Sequence, residues 1–180
     1  PKIQQDWFVP FMINWFENPL TIPWTSFLLS GGDVLSFPYG PIMLLFFLPI
    51  TLLGWMIDLF VQGYYFSFLG FKISLLIGDF LLLLILLNIF DKEWRGILIY
   101  YWLSPLVLFV TYWHGQTDLI PIALFVYSLA QIKKKNFKTA GILIAFSIMA
   151  KHSMLISVPF VFIYLLKQRV PISVLKNFTI

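Results

Sequence analysis

The chain has 180 residues, of which 60% are apolar and 11% are charged, and its mean hydropathy is +0.89. Soluble domains carry about a quarter charged residues, so this composition excludes a water-soluble globular protein. The net charge of +4 comes from short basic loops that set membrane orientation, so it does not indicate nucleic-acid binding; the lack of cysteine excludes disulfides. The composition predicts an all-α, polytopic transmembrane helical bundle.

Residues 1–39 precede the first long apolar run and contain a single basic residue. Apolar and aromatic side chains recur at helical spacing over Asp6–Asn18, which predicts an amphipathic helix lying in the membrane interface. Asn18-Pro19 ends this helix, and a second short element follows. The segment is typical of an exoplasmic loop. It is either a linker anchored by its aromatic residues or a roof over a cavity that presents Asp6 or Asp33.

Six apolar runs follow, and a membrane-spanning helix needs about 20 apolar residues. They are Pro41–Phe60, Lys72–Phe90, Ile97–Trp113, Asp118–Ile132, Thr139–Ala150 and Met154–Leu166. Ser104-Pro105 interrupts the third run, and because proline breaks a helix we expect two half-helices that do not cross. We expect Asp79, inside the second run, to pair with a neighbouring helix, and Asp58, near the end of the first, to be solvated.

Two basic clusters mark the predicted cytoplasmic side. They are Lys133, Lys134, Lys135 and Lys138 in one loop, and Lys167, Arg169 and Lys176 after the last run. The two short runs between them form a pair with its turn at Lys151-His152-Ser153. Runs this short cover only about 20 Å, so Lys151 is expected in a water-filled dip on the outer side. One long helix centred on Lys151 is the alternative. On this map Lys72 is cytoplasmic and Asp91–Arg95 is outside.

Three polar groups converge on the outer face in this topology. They are Asp6 or Asp33, the run His114-Gly115-Gln116-Thr117-Asp118, and Lys151-His152. A carboxylate there can take a proton from an incoming hydroxyl, and the cations can stabilise a departing phosphate. Structural roles remain open: Asp118 as a helix cap, His114 as an interfacial residue and Lys151 as a cation that snorkels to the surface.

Four motifs occur in a fixed order along nearly the whole chain. They are Asp6 with the aromatic residues after it, Phe37-Pro38-Tyr39-Gly40-Pro41, Leu103-Ser104-Pro105 with His114-Gly115-Gln116-Thr117-Asp118, and Lys151-His152-Ser153-Met154-Leu155 with Pro159. This order resembles the GT-C superfamily of polytopic membrane glycosyltransferases. The third motif is similar to the "(N/S)P…GQxD" pattern of this superfamily. The fourth motif resembles the "K…M…P" stretch of the dolichyl-phosphate-glucose glucosyltransferases and the related mannosyltransferases.

The resemblance implies transfer of a hexose, with inversion, from a polyprenyl-phosphate-linked donor to a lipid-linked or membrane-proximal acceptor on the exoplasmic face of a multi-pass membrane protein. Asp6 would be the general base, with Asp33 as the fallback. The residues implied to bind the donor phosphate or substrate are Lys151, His152, His114, Gln116, Asp118 and Tyr39. Because Asp6 lacks a second acidic neighbour, the sequence contains no clear metal motif, and a divalent cation is left open as cofactor.

Two other classes of membrane protein stay open. Broken helices and charges at membrane depth also occur in transporters and lipid flippases, and a non-catalytic membrane subunit is the third reading. Since the chain starts at Pro1 and lacks a signal peptide, we expect a piece of a longer protein whose first span and C-terminal part are missing. Within it, residues 1–39 form the outer loop and residues 40–180 the helical bundle.

Overall fold

The computed structural model describes residues 2–168, and that part of the chain is helical and contains no strand. The α-helices are α1 (Val9–Glu17), α2 (Pro23–Leu29), α3 (Pro41–Val61), α4 (Tyr65–Ile89), α5 (Trp94–Ile97), α6 (Pro105–Leu108), α7 (Leu119–Lys133), α8 (Phe137–Ala150) and α9 (Val158–Lys167). π-Helical turns precede α1 (Gln4–Phe8) and extend α5 (Leu98–Trp102) and α6 (Phe109–His114), and a 3₁₀ segment, His152–Ser157, precedes α9. The predicted all-α membrane bundle is confirmed.

Helices α3 and α4 are long and apolar enough to cross a membrane. The buried carboxylate of Asp58, near the end of α3, accepts hydrogen bonds from the backbone N–H groups of Phe66 (3.0 Å) and Ser67 (2.7 Å) and from the Ser67 hydroxyl (2.6 Å). This carboxylate caps the first turn of α4. For that reason α4 starts at Tyr65 rather than at the predicted Lys72, and the expectation that Asp58 is solvated is wrong.

Glycines let α3 and α4 pack with their backbones in contact. A Cβ on Gly54 would overlap the carbonyl of Phe66, and one on Gly70 would overlap the carbonyl of Ile50. Small residues permit this close approach between apolar helices, where dispersion contacts replace the hydrophobic effect. The same pairing stacks the rings of Phe47 and Phe71, whose centroids are 4.1 Å apart.

Helix α7 runs parallel to the second half of α4. The side chain of Ile120, at the start of α7, packs against Gly78, and the Lys133 Nζ, at its end, lies 5.8 Å from the centroid of the Phe90 ring. The turn that follows α4 therefore lies at the same end of the bundle as the lysine loop. The predicted map placed Asp91–Arg95 at the opposite end, and that placement is wrong, because α4 ends beside the lysines rather than starting there.

The third apolar run is broken as predicted. The chain bends by 46° between Asp91–Trp102 and Pro105–His114, and Ser104 is extended (φ −63°, ψ 119°) because the proline after it disfavours a helical conformation. Tyr101 and Tyr112, one in each half, both donate hydrogen bonds to the carboxylate of Asp79. The expected pairing of Asp79 with a neighbouring helix is confirmed.

The chain turns back at Lys151, where an extended residue (φ −148°, ψ 116°) ends α8. Val161 and Leu165 of α9 are buried in one apolar cluster with Ala140 and Ile144 of α8. Helices α8 and α9 are thus antiparallel, which confirms the predicted pair and excludes the single long helix. Lys167 returns to the end that carries the lysine loop, whereas the predictions for Arg169 and Lys176 lie outside the described residues.

The helix predicted over Asp6–Asn18 is present as Gln4–Phe8 followed by α1. It packs against both long helices, since the Phe8 ring meets that of Phe71 in α4 (5.9 Å between centroids) and the Phe16 ring meets that of Trp55 in α3 (5.7 Å). Its apolar face is buried against α2, α3 and α4. The aromatic residues of the first segment therefore contribute to the protein core.

Substitution of Gly54 by alanine tests the contact between α3 and α4. Because the new Cβ meets a backbone carbonyl that cannot move without shifting a helix, we expect the free energy of unfolding to fall by about 1–3 kcal/mol. Gly63→Ala is the matched control, since a Cβ there has open space around it. Chemical denaturation in detergent micelles measures both; equal stability of the two variants would contradict the proposed close packing.

Candidate functional site

The start of α3 and the end of α8 meet through their backbones. The N–H of Gly40 donates a hydrogen bond to the carbonyl of Ala150 (3.0 Å), and a Cβ on Gly40 would overlap the carbonyl of Met149. Only glycine fits this approach. It brings Tyr39 and Lys151, which are far apart in the sequence, to the same place.

Lys151 forms an ion pair with Asp118. Its Nζ lies 2.6 Å from Asp118 Oδ1, with the two side chains 28% and 37% exposed, and 5.7 Å from the centroid of the Tyr39 ring. The Asp118 carboxylate makes no capping hydrogen bond to α7. The structure thus favours the paired arrangement over both structural roles left open by the sequence, the helix cap and the snorkelling lysine.

Tyr39 is buried beside this ion pair. Its ring packs edge-on against Phe8, with centroids 5.5 Å apart. Burial raises the pKa of the Tyr39 phenol above its ordinary value, neighbouring Thr117 opposes this, and the negative charge of Asp118 adds to the rise. Tyr39 is therefore a neutral hydroxyl at physiological pH, able to donate a hydrogen bond.

Gln4 belongs to the same cluster, and the sequence analysis missed it. The side chain is fully buried, and its Nε2 donates a hydrogen bond to the carbonyl of Gly115 (3.1 Å). Two buried oxygens here, Gln4 Oε1 and Thr117 Oγ1, have no hydrogen-bond partner among the described residues. The signal was available: Gln4 lies four residues before the core residue Phe8, on the same helical face.

Asp6 lies on the opposite face of this turn from Gln4, because two residues are about half a helical turn. Its side chain is exposed and has no ion-pair or hydrogen-bond partner among residues 2–168. It lines a cavity of about 750 Å³ between α1 and the start of α4, together with Glu17, Tyr64 and Tyr65. The structure therefore does not bring Asp6 into the cluster of Lys151.

The fallback carboxylate, Asp33, has a local structural role. Its Oδ1 accepts a hydrogen bond from the N–H of Leu35 (2.7 Å) and so caps the short 3₁₀ turn Val34–Ser36. The side chain is exposed and is not among the residues that line the cavity of Asp6. Of the two predicted bases, only Asp6 has a carboxylate without a partner within the described residues 2–168.

The other predicted site residues are dispersed. Gln116 lines a cavity of about 350 Å³ with Asp118. His152 is exposed beside Lys151, while His114 is exposed at the end of a π-helical turn and faces a separate groove that also contains Lys72. Among residues 2–168, no three His, Asp or Glu side chains are grouped to hold a metal ion.

A double-mutant cycle over Asp118→Asn and Lys151→Met measures the ion pair. Because both side chains are partly exposed, we expect a coupling of about 1 kcal/mol in the free energy of unfolding. Asp91→Asn combined with Lys151→Met is the control, since Asp91 lies in the turn after α4, and it should show no coupling. Equal coupling in both cycles would contradict a specific pair.

Comparison with known proteins supplies the family. Neither the curated proteins nor the solved structures gave a match to this chain. The family model described as glycosyltransferase family 87 matches residues 37–172, which include Tyr39, Asp118 and Lys151 but not Asp6 or Asp33. This match covers most of the chain and agrees with the GT-C resemblance and with the helical membrane bundle. The chain belongs to glycosyltransferase family 87, a family of GT-C type membrane glycosyltransferases.

Proposed function

We propose that this enzyme moves a hexose from a polyprenyl-phosphate-linked donor to a hydroxyl of a lipid-linked or membrane-proximal acceptor, with inversion at the anomeric carbon. The observation that carries the proposal is the carboxylate of Asp6, which has no partner among residues 2–168 and lines a cavity of about 750 Å³, a volume within the range of small-molecule sites. Family membership supports glycosyl transfer, and the apolar helices support a substrate that enters from the bilayer.

Asp6 is the proposed general base. It takes the proton of the acceptor hydroxyl while the hydroxyl oxygen attacks the anomeric carbon, and the bond from that carbon to the phosphate oxygen breaks with its electron pair leaving on the phosphate. A phosphate leaves without being protonated, so one carboxylate is sufficient, in contrast to glycoside hydrolysis. Asp118 is less available for this role, because its carboxylate is already paired with the ammonium group of Lys151.

The departing phosphate requires positive charge. Lys151, with His152 next to it, is the cation expected from the family resemblance. In the structure Lys151 is already neutralised by Asp118, so it can bind a phosphate only by exchanging that carboxylate. Tyr39 and Gln116, which the resemblance also implies as substrate-binding residues, lie on the Lys151 side of the Gln4–Phe8 turn and do not line the cavity of Asp6.

The position of the cavity supports an exoplasmic active face. Tyr64 and Tyr65, which line it, precede or begin α4, whereas the lysine loop lies beside the last residues of that helix. Basic loops mark the cytoplasmic side, and α4 is long enough to span the membrane between the two ends. The cavity of Asp6 is thus proposed to open on the opposite side from the lysine loop, in a multi-pass protein.

Asp6→Asn in the full-length protein tests the base. Because a general base contributes about 10²–10⁴ in rate, we expect sugar transfer to fall at least about 100-fold without loss of membrane insertion. Membranes supplied with radiolabelled polyprenyl-phosphate sugars provide the measurement. Asp33→Asn is the matched control and should transfer at the native rate. Native activity of Asp6→Asn together with an inactive Asp33→Asn would show that Asp33 is the base.

A further inference from the structure

A groove on the outside of the bundle brings together two lysines and a histidine from three parts of the chain. It has a volume of about 830 Å³ and lies between the first described residues, α4 and the turn Phe109–His114. The side chains that carry charge or can be protonated are Lys2, Lys72 and His114. No carboxylate is among the described residues that line it, so the groove is positive and suits an anion.

Lys72 is the central cation, and it lies within the apolar helix α4. Its Nζ lies 5.1 Å from the centroid of the Phe68 ring, and it has no ion pair among residues 2–168. The other charged side chain of α4, Asp79, is bonded to Tyr101 and Tyr112 and so does not neutralise it. An ammonium group within an apolar segment is costly and marks a functional site. Lys72 therefore indicates an anionic ligand.

An exposed apolar stripe leads into the groove. Leu106, Phe109 and Trp113 are all exposed and recur at spacings of three and four residues, which places them on one face. Phe109 and Trp113 also line the groove. A positive groove at the end of an apolar stripe matches an amphiphile that has an anionic headgroup and a hydrocarbon chain.

We infer that this groove binds the phosphate of the lipid-linked donor, with the ammonium group of Lys72 and the ring of His114 donating hydrogen bonds to the phosphate oxygens and Lys2 adding positive charge. The hydrocarbon chain lies along the stripe of Leu106, Phe109 and Trp113. The identity of the lipid as a sugar donor rests on the proposed function.

The position of Gln5 joins this groove to the proposed base. Gln5 lines both the groove and the cavity of Asp6. A sugar attached to a phosphate beside Lys72 is therefore proposed to extend past Gln5 toward the Asp6 carboxylate. Lys151 is less suitable, because Asp118 neutralises it and the Gln4–Phe8 turn separates it from Asp6.

Binding of geranylgeranyl phosphate to the purified full-length protein tests this inference without turnover. Lys72→Met keeps the length of the side chain but removes its charge, and we expect the Kd to rise about tenfold or more, the effect of losing a hydrogen bond to a charged group. Lys92→Met, in the turn after α4, is the matched control and should leave the Kd unchanged. Lys72→Arg keeps the charge and should bind within a few-fold of the native protein, which separates loss of charge from loss of folding.

Two further ligands identify the source of the affinity. Geranylgeraniol lacks the phosphate and inorganic phosphate lacks the chain, and both should bind at least about tenfold more weakly than geranylgeranyl phosphate. Equal affinity for the alcohol, or a loss of binding in Lys151→Met but not in Lys72→Met, would overturn the inference. Native binding through Lys72 in a protein that transfers no sugar would refute the proposed function while leaving this site in place.

Discussion

The structure depends on how an apolar bundle satisfies the backbone groups where its helices stop. The chain breaks at Gly40, Ser104 and Lys151, all within or beside runs of apolar residues, where an unpaired N–H or carbonyl is costly. At Gly40 and at the end of α8 two of these backbone groups satisfy each other, because the Gly40 N–H donates a hydrogen bond to the carbonyl of Ala150. This contact requires glycine and fixes where α3 begins relative to the end of α8. It also places Tyr39 beside Lys151 and Asp118. The polar cluster is a consequence of how the helix ends are joined.

Local patterns predicted most of the helices. The bounds of α3, α7 and α8 follow from apolar length, the bend at Ser104 follows from the proline after it, and the turn at Lys151 follows from the two short runs around it. The start of α4 was missed because its cap, Asp58, comes from the preceding helix, a tertiary contact that no local pattern reports. The direction of α4 relative to the lysine loop was missed because the Asp91–Arg95 turn contains two acidic and two basic residues. An excess of basic residues therefore could not assign this turn to either side of the membrane.

The candidate site was predictable only in part. The chain brings Asp118, Lys151 and Tyr39 together, as their order in the sequence suggested, yet it holds Asp6 on the far side of the Gln4–Phe8 turn. Sequence spacing says that residues share a helix face, but not which face packs on the bundle, and here Gln4 and Phe8 occupy the core-facing side. Lys72 was interpreted only as an indicator of orientation, although a lone cation in an apolar run is itself a signal of function.

The carboxylate of Asp79 ties both halves of the broken run to α4. Both tyrosine hydroxyls donate to this carboxylate, Tyr101 near the bend and Tyr112 near the end of the second half. Both halves of the broken run are therefore attached to α4, and a movement of either half relative to α4 would break a hydrogen bond to Asp79. The position of His114, two residues after Tyr112, therefore depends on a hydrogen bond to a buried residue of α4.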